Sequence, residues 1–99
     1  MIQVRDVFRL KYGQARPAVA LFKEGLDLGK KAGAMGSYRL LTDLVGPAYT
    51  IVLESTHESL AAFEKNALSM SANDEWRKWY QKFTPHVESG YREIFNVVE

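Results

Sequence analysis

The feature that most constrains this chain is the order in which two hydrophobic periods alternate along it. A stretch of period two gives way to a long stretch of period 3.6. Two more alternating runs follow, then a second helical stretch and a last alternating run. That order reads as strand–helix–strand–strand–helix–strand, a ferredoxin-like βαββαβ α+β domain: a four-stranded antiparallel sheet with its helices on one face. Two right-handed crossovers leave gaps that the hairpin strand and the last strand fill, so the expected spatial order is 4-1-3-2.

The individual runs support this. Ile2, Val4, Phe8, Leu10 and Tyr12 share one side of the first run, with Asp6 breaking the apolar series and Gly13 ending it. Pro17 suits a first helical turn, and Ala18, Leu21, Phe22, Gly25, Leu28, Gly29 and Ala32 form one stripe. Glycines inside a helix cost about 1 kcal/mol each, which implies a close approach of the sheet at Gly25 and Gly29. Gly33 reads as the residue just past the helix end. Strands are expected over Met35–Val45 and Ala48–Ser55, joined by Gly46-Pro47, with Tyr49, Ile51 and Leu53 on one side. Ser55 to Glu58 has capping-box spacing, which starts a helix there with Leu60, Phe63, Ala67 and Leu68 as its stripe. Asn73 reads as a fresh N-cap; Trp76, Trp79, Tyr80 and Phe83 then form an aromatic stripe that Pro85 ends. In the last run Tyr91, Phe95 and Val97 share one side, and Arg92, Ile94 and Val98 the other.

Ninety-nine residues make a single domain, 1–99. Thirteen basic against twelve acidic residues leave a net charge of +1, too even to hold bulk nucleic acid or an anionic membrane by field alone. RNA-recognition domains share this strand order but carry aromatics in a basic motif on the open sheet face. Here that face of the first strand holds Gln3, Arg5, Val7 and Arg9. The absence of cysteine removes any disulfide framework or thiol nucleophile. Met1–Asp6 lacks the apolar core of a signal peptide and no apolar run reaches spanning length, so the expected location is cytoplasmic. The open face is expected to carry Val7, Leu41, Val52, Ile94 and Val98 among Arg5, Arg9, Arg39, Glu54 and Arg92. Apolar side chains mixed with both charge signs suit a symmetric homodimer through that face.

Ile51 to Phe63 (IVLESTHESLAAF) and Glu75-Trp76-Arg77-Lys78-Trp79, within this element order, resemble the dimeric α/β-barrel superfamily, in particular its NIPSNAP-like and antibiotic-biosynthesis-monooxygenase-like members. The resemblance covers essentially the whole chain and implies a homodimer with a pocket between each sheet and its own helices. Some members are cofactor-independent oxygenases, some degrade haem, and many have no established activity. In the haem-degrading branch an amide on the first strand works with a tryptophan and a histidine of the second helical region. Asp6, Trp76 and His86 stand in similar relative places, with an acid replacing the amide and Pro85 placing His86 at a strand start.

The residues themselves single out Asp6, a carboxylate entering an apolar layer, as a candidate catalytic group; the resemblance adds His86 as the alternative proton acceptor. The plainer alternative is an Asp6 satisfied by a tyrosine or an arginine. Phe8, Tyr49, Trp76, Trp79 and Phe95 are the expected lining of a pocket for a small apolar or aromatic molecule; an aromatic stripe at helical spacing is equally a core. His57 reads as an exposed capping-segment residue. No metal site is expected and no cofactor, haem entering only under the alternative reading. The competing functional readings are a small-molecule binder, a cofactor-independent or haem-degrading monooxygenase, and a structural module with a filled core.

Overall fold

In the computed structural model, residues 1–33 and 36–99 are described. The chain runs β1 (Ile2–Leu10), α1 (Ala15–Lys31), β2 (Ser37–Thr42), β3 (Thr50–His57), α2 (Leu60–Ser71), α3 (Asp74–Phe83), a 3-10 turn (Thr84–His86) and β4 (Val87–Asn96). The sheet has four strands in the order β2-β3-β1-β4, all antiparallel, as the crossover argument requires. Among the described residues no helix is long and apolar enough to cross a membrane.

The termini of the helices follow their residues. Gly33, with φ of 85°, lies just past the end of α1, and its N–H reaches the Lys30 carbonyl. Asn73 Oδ1 accepts the Trp76 N–H at 2.9 Å, the N-cap of α3. The expected start of α2 at Ser55 is wrong. β3 continues to His57, and the cap is Ser59, whose hydroxyl accepts the Ala62 N–H. Of the expected α2 stripe, Phe63 and Ala67 face inward, whereas Leu60 and Leu68 are exposed and Met70 is buried instead. β2 is shorter than expected, ending at Thr42; Met35 lies outside the described residues, and Leu44 and Val45 stand in solvent.

The helices cover the sheet face that carries Val4, Phe8 and Leu10 of β1, Leu40 of β2 and Ile51 and Leu53 of β3. Leu10, Ala18, Phe22, Ile51, Trp79 and Phe83 are the buried core of that layer. Gly25 is where α1 meets α3. A Cβ built there would stand 2.4 Å from the Trp79 ring, so the close approach is to an indole rather than to the sheet. Trp79 then donates its indole N–H to the Leu21 carbonyl at 2.5 Å and stacks on Phe83 at 5.3 Å.

β4 corrects the expected facing of the last strand. Arg9 pairs with Ser89 but Leu10 with Val87, so Glu88 is an extra residue, a bulge. Because side chains alternate with period two, one extra residue sends the rest of the strand to the opposite sides. Arg92 pairs with Asp6 and Ile94 with Val4, which puts both on the helix side. Tyr91 and Phe95 pair with Val7 and Gln3 and lie on the open face, where Ile94 and Arg92 were expected. Val98, also expected there, is an exposed residue beyond the end of β4. The open face also carries the ion pairs Arg5–Glu54 at 3.2 Å and Arg39–Glu54 at 2.6 Å.

Since the Trp79 ring fills the space a methyl would need, Gly25→Ala should destabilise the protein by about 1–3 kcal/mol. That is a fall in Tm of roughly 4 °C or more in a domain of this size. Thermal unfolding by circular dichroism checks it; an unchanged Tm would mean that α1 and α3 are not packed this way.

Candidate functional site

β1 places Asp6 and Phe8 on the helix side, α3 places Trp76 above them, and β4 contributes Arg92 from the edge of the sheet. Together with Leu53, Phe22, Trp79 and Phe83 they line a groove of about 470 Å³. Its walls are aromatic. Phe8 meets Phe83 edge-on at 5.4 Å, and Trp76 lies 4.7 Å from Trp79. Asp6 is the polar intrusion its position in the series implies, and it is paired: Arg92 Nε donates to Asp6 Oδ1 at 2.5 Å. The guanidinium also lies 5.1 Å over the Phe63 ring of α2, a cation–π contact that holds it across the groove.

Asp6, Leu53 and Trp76 are shared with a second, smaller cavity of about 140 Å³ beneath α2. Its lining includes Tyr38, Ser55, His57 and Asn66. His57 Nε2 and Ser55 Oγ are 3.0 Å apart, and Asn66 Nδ2 donates to the Tyr38 hydroxyl at 3.1 Å. Burial pushes the Tyr38 phenol up from its ordinary value of 10.0, against the opposing effect of the Asn66 hydrogen bond. The layer between sheet and helices thus holds an aromatic groove and, beside it, a smaller and largely apolar cavity that carries a few polar groups. Such a combination of apolar walls and a few convergent polar groups is the usual composition of a small-molecule site.

No protein-family model matches the sequence, and no curated protein does. Solved structures do match. An uncharacterised NIPSNAP domain protein from Burkholderia xenovorans superposes with a TM-score of 0.89 at 13% identity, over 99% of this chain and 95% of the other. A NIPSNAP family protein from Agrobacterium tumefaciens gives 0.87 at 16% identity, over 99% of this chain and 86% of that one. An antibiotic biosynthesis monooxygenase gives 0.77 at 16% identity, over the whole of both chains. The chain has the NIPSNAP-like, ferredoxin-like fold. At these identities the likeness is one of fold.

Within this NIPSNAP-like fold, four of the expected site residues come together: Asp6, Phe8, Trp76 and Trp79, the last as a core residue forming the groove floor. Three do not. Phe95 was expected among the pocket residues, and the Glu88 bulge turns it to the open face. Tyr49, with φ of 59°, packs on Tyr12 at 4.8 Å beside the start of α1. His86 sits at the Leu10 end of β1, where its carbonyl accepts the Lys11 N–H and its Nδ1 meets Gln14 Oε1 at 2.7 Å. Asp6 is four residues back along that strand, about 13 Å. The donor set that a haem would need at His86 is therefore not assembled around the groove. Among the described residues there is also no group of three His, Asp or Glu that could hold a metal ion.

His57 is the site residue that capping-box spacing conceals. It is 6% exposed, the last helix-side residue of β3, and its ring lies 5.1 Å from Phe63 and 6.2 Å from Tyr38. The signal that finds it is the continued alternation Ile51, Leu53, Ser55, His57.

Burial pushes the His57 imidazole below its ordinary value of 6.5, because the low-dielectric site disfavours the charged form. The unfolded chain therefore takes up this proton first as the pH falls. The contribution of a neutral His57 to stability is complete above about pH 6.5 and is lost as the pH falls through the folded-state value. Tm should drop between about pH 7 and pH 5.5, where most carboxylates remain ionised, and His57→Gln should flatten that part of the profile. An equal drop in the variant would place the titrating group elsewhere.

Proposed function

We propose that this protein is a NIPSNAP-like dimeric α/β-barrel protein that binds a small apolar or aromatic molecule between its helices and its sheet. The observation that carries this reading is the aromatic groove lined by Phe8, Trp76 and the Asp6–Arg92 pair, with a smaller cavity that shares Asp6, Leu53 and Trp76 with it. A module with a wholly filled core would not leave two adjacent cavities along its helix–sheet layer, since protein interiors are close-packed. The open sheet face supports the homodimer: Tyr91 and Phe95 are exposed there, and Tyr91 continues the cross-strand row Leu41, Val52, Val7. Two large aromatic side chains on a flat sheet face suit burial against a symmetry-related copy.

A second reading is favoured by the likeness to an antibiotic biosynthesis monooxygenase. In it Asp6 takes the proton of a hydroxyaromatic substrate, and the resulting anion reduces oxygen without a cofactor. That reading requires the Asp6–Arg92 pair to open when the substrate arrives.

Two measurements test the main reading. Phe95→Glu should convert a dimer to a folded monomer in sedimentation velocity; a wild-type protein that sediments as a single subunit would remove the homodimer. A panel of bicyclic aromatic compounds should raise Tm in proportion to affinity, by about 2.7 kcal/mol of stability at a hundredfold excess over Kd. Trp76→Ala should lower that affinity at least tenfold while the variant stays folded. The absence of any melting shift across the panel would contradict the ligand site.

A further inference from the structure

Among the described residues only two polar side chains are fully buried, Ser55 at 4% exposure and His57 at 6%, and they are bonded to each other. Both line the inner chamber. Ser55 follows Leu53 by one helix-side step along β3, and Leu53 is the cross-strand partner of Asp6. Ser55 therefore stands about 7 Å further along the sheet than the Asp6–Leu53 row. A buried serine–histidine pair adds little to packing, yet the fold secures this one closely. Tyr38 and Phe63 meet the imidazole edge-on, and Gly36 backs it. A Cβ on Gly36, whose φ is 99°, would stand 3.3 Å from the ring and 2.5 Å from the Thr56 carbonyl. Only glycine lets the start of β2 lie there.

Resting on the reading of the groove as a ligand site, we propose that Ser55 and His57 form its polar end and that the ligand is a neutral, hydroxyl-bearing aromatic molecule. Its ring lies against Leu53 and Trp76, which line both cavities, and its hydroxyl donates a hydrogen bond to Ser55 Oγ. In the proposed arrangement the neutral imidazole carries its proton on Nδ1, so that Nε2 accepts, Ser55 gives its one proton to His57, and the hydroxyl presents lone pairs to the chamber. The ligand must then bring the donor. A hydrocarbon or an ether brings none, and a site built for a hydrogen bond discriminates against the analogue that lacks it. With Asp6 and Arg92 already paired to each other, neither supplies a free counter-charge for an ionised ligand.

The pair is also sensitive to pH. The ionisable groups around His57 are Asp6 of β1, Lys30 of α1, Tyr38 of β2 and Arg92, with Glu58 and Lys65 on its outer side. Of these side-chain types only histidine normally titrates between pH 5 and 8. Once protonated, His57 donates to Ser55, and Ser55 then turns its own proton toward the ligand. The preference for a donor disappears.

The experiment compares 2-naphthol with 2-methoxynaphthalene by isothermal titration calorimetry on the full chain; the naphthol hydroxyl, like that of tyrosine, ionises well above this pH range. At pH 8 wild-type protein should bind 2-naphthol roughly tenfold more tightly, the worth of one good hydrogen bond. Ser55→Ala should bring the ratio to about one with the ether's affinity unchanged, and acidification through the His57 transition should shrink it in wild type. Because Ser55→Ala alters a buried residue, the wild-type His57 ring resonances provide an independent check: they should shift with 2-naphthol and not with the ether. Equal affinities in wild type, or His57 resonances indifferent to both compounds, overturn this assignment while leaving the groove as a site. Binding of neither compound removes both readings.

Discussion

One extra residue in the last strand decides what each side of this molecule does. With Glu88 bulged out, Arg92 faces the helices directly opposite Asp6, and Tyr91 and Phe95 face away from them. Without the bulge the same strand would send a phenylalanine into the helical layer and an arginine onto the open face. The carboxylate of Asp6 would then lack its partner in an apolar layer, a costly arrangement. The bulge thus satisfies the buried acid and at the same time supplies the open face with its aromatic side chains.

A second constraint shapes the helical layer. The missing side chain at Gly25 lets Trp79 lie on α1, and the indole N–H is taken up by a carbonyl of that helix. α1 and α3 are closed together over the Leu10 end of the sheet, where Phe22, Ile51 and Phe83 fill the space. α2 covers the other end through Phe63 and Met70 and leaves the chamber beneath it. Apolar packing is concentrated at one end of the layer and hydrogen-bonded polar pairs at the other. Each of those polar pairs has its partner within the site, which is what allows them to be buried at all.

Much of this was legible in the sequence. Element order and strand order follow from the two periods and the handedness of crossovers, and Asn73, Gly33 and Pro85 mark their boundaries correctly. Asp6, Phe8, Trp76 and Trp79 are identifiable as one group because each interrupts or continues a periodic stripe. The facing of β4 was not legible, because alternation counted from Val87 holds only where no residue is extra, and nothing about Glu88 advertises a bulge. His57 was concealed by a true local conflict: Ser55 and Glu58 have capping spacing, and tertiary pairing with β1 extends the strand past Ser55 to His57. Gly25 declares a close approach without naming the partner, which lies 54 positions later in the chain.

The proposed division of roles between the two sides of the sheet admits a guest only on the helical side. Backbone and indole chemical-shift changes during an NMR titration of the 15N-labelled protein with 2-naphthol test this most directly. Shifts are expected at Phe8, Leu53, Arg92 and the Trp76 indole, with Val52 and Phe95 unmoved. Shifts centred on Val52 and Phe95, or none among the groove residues, would contradict it.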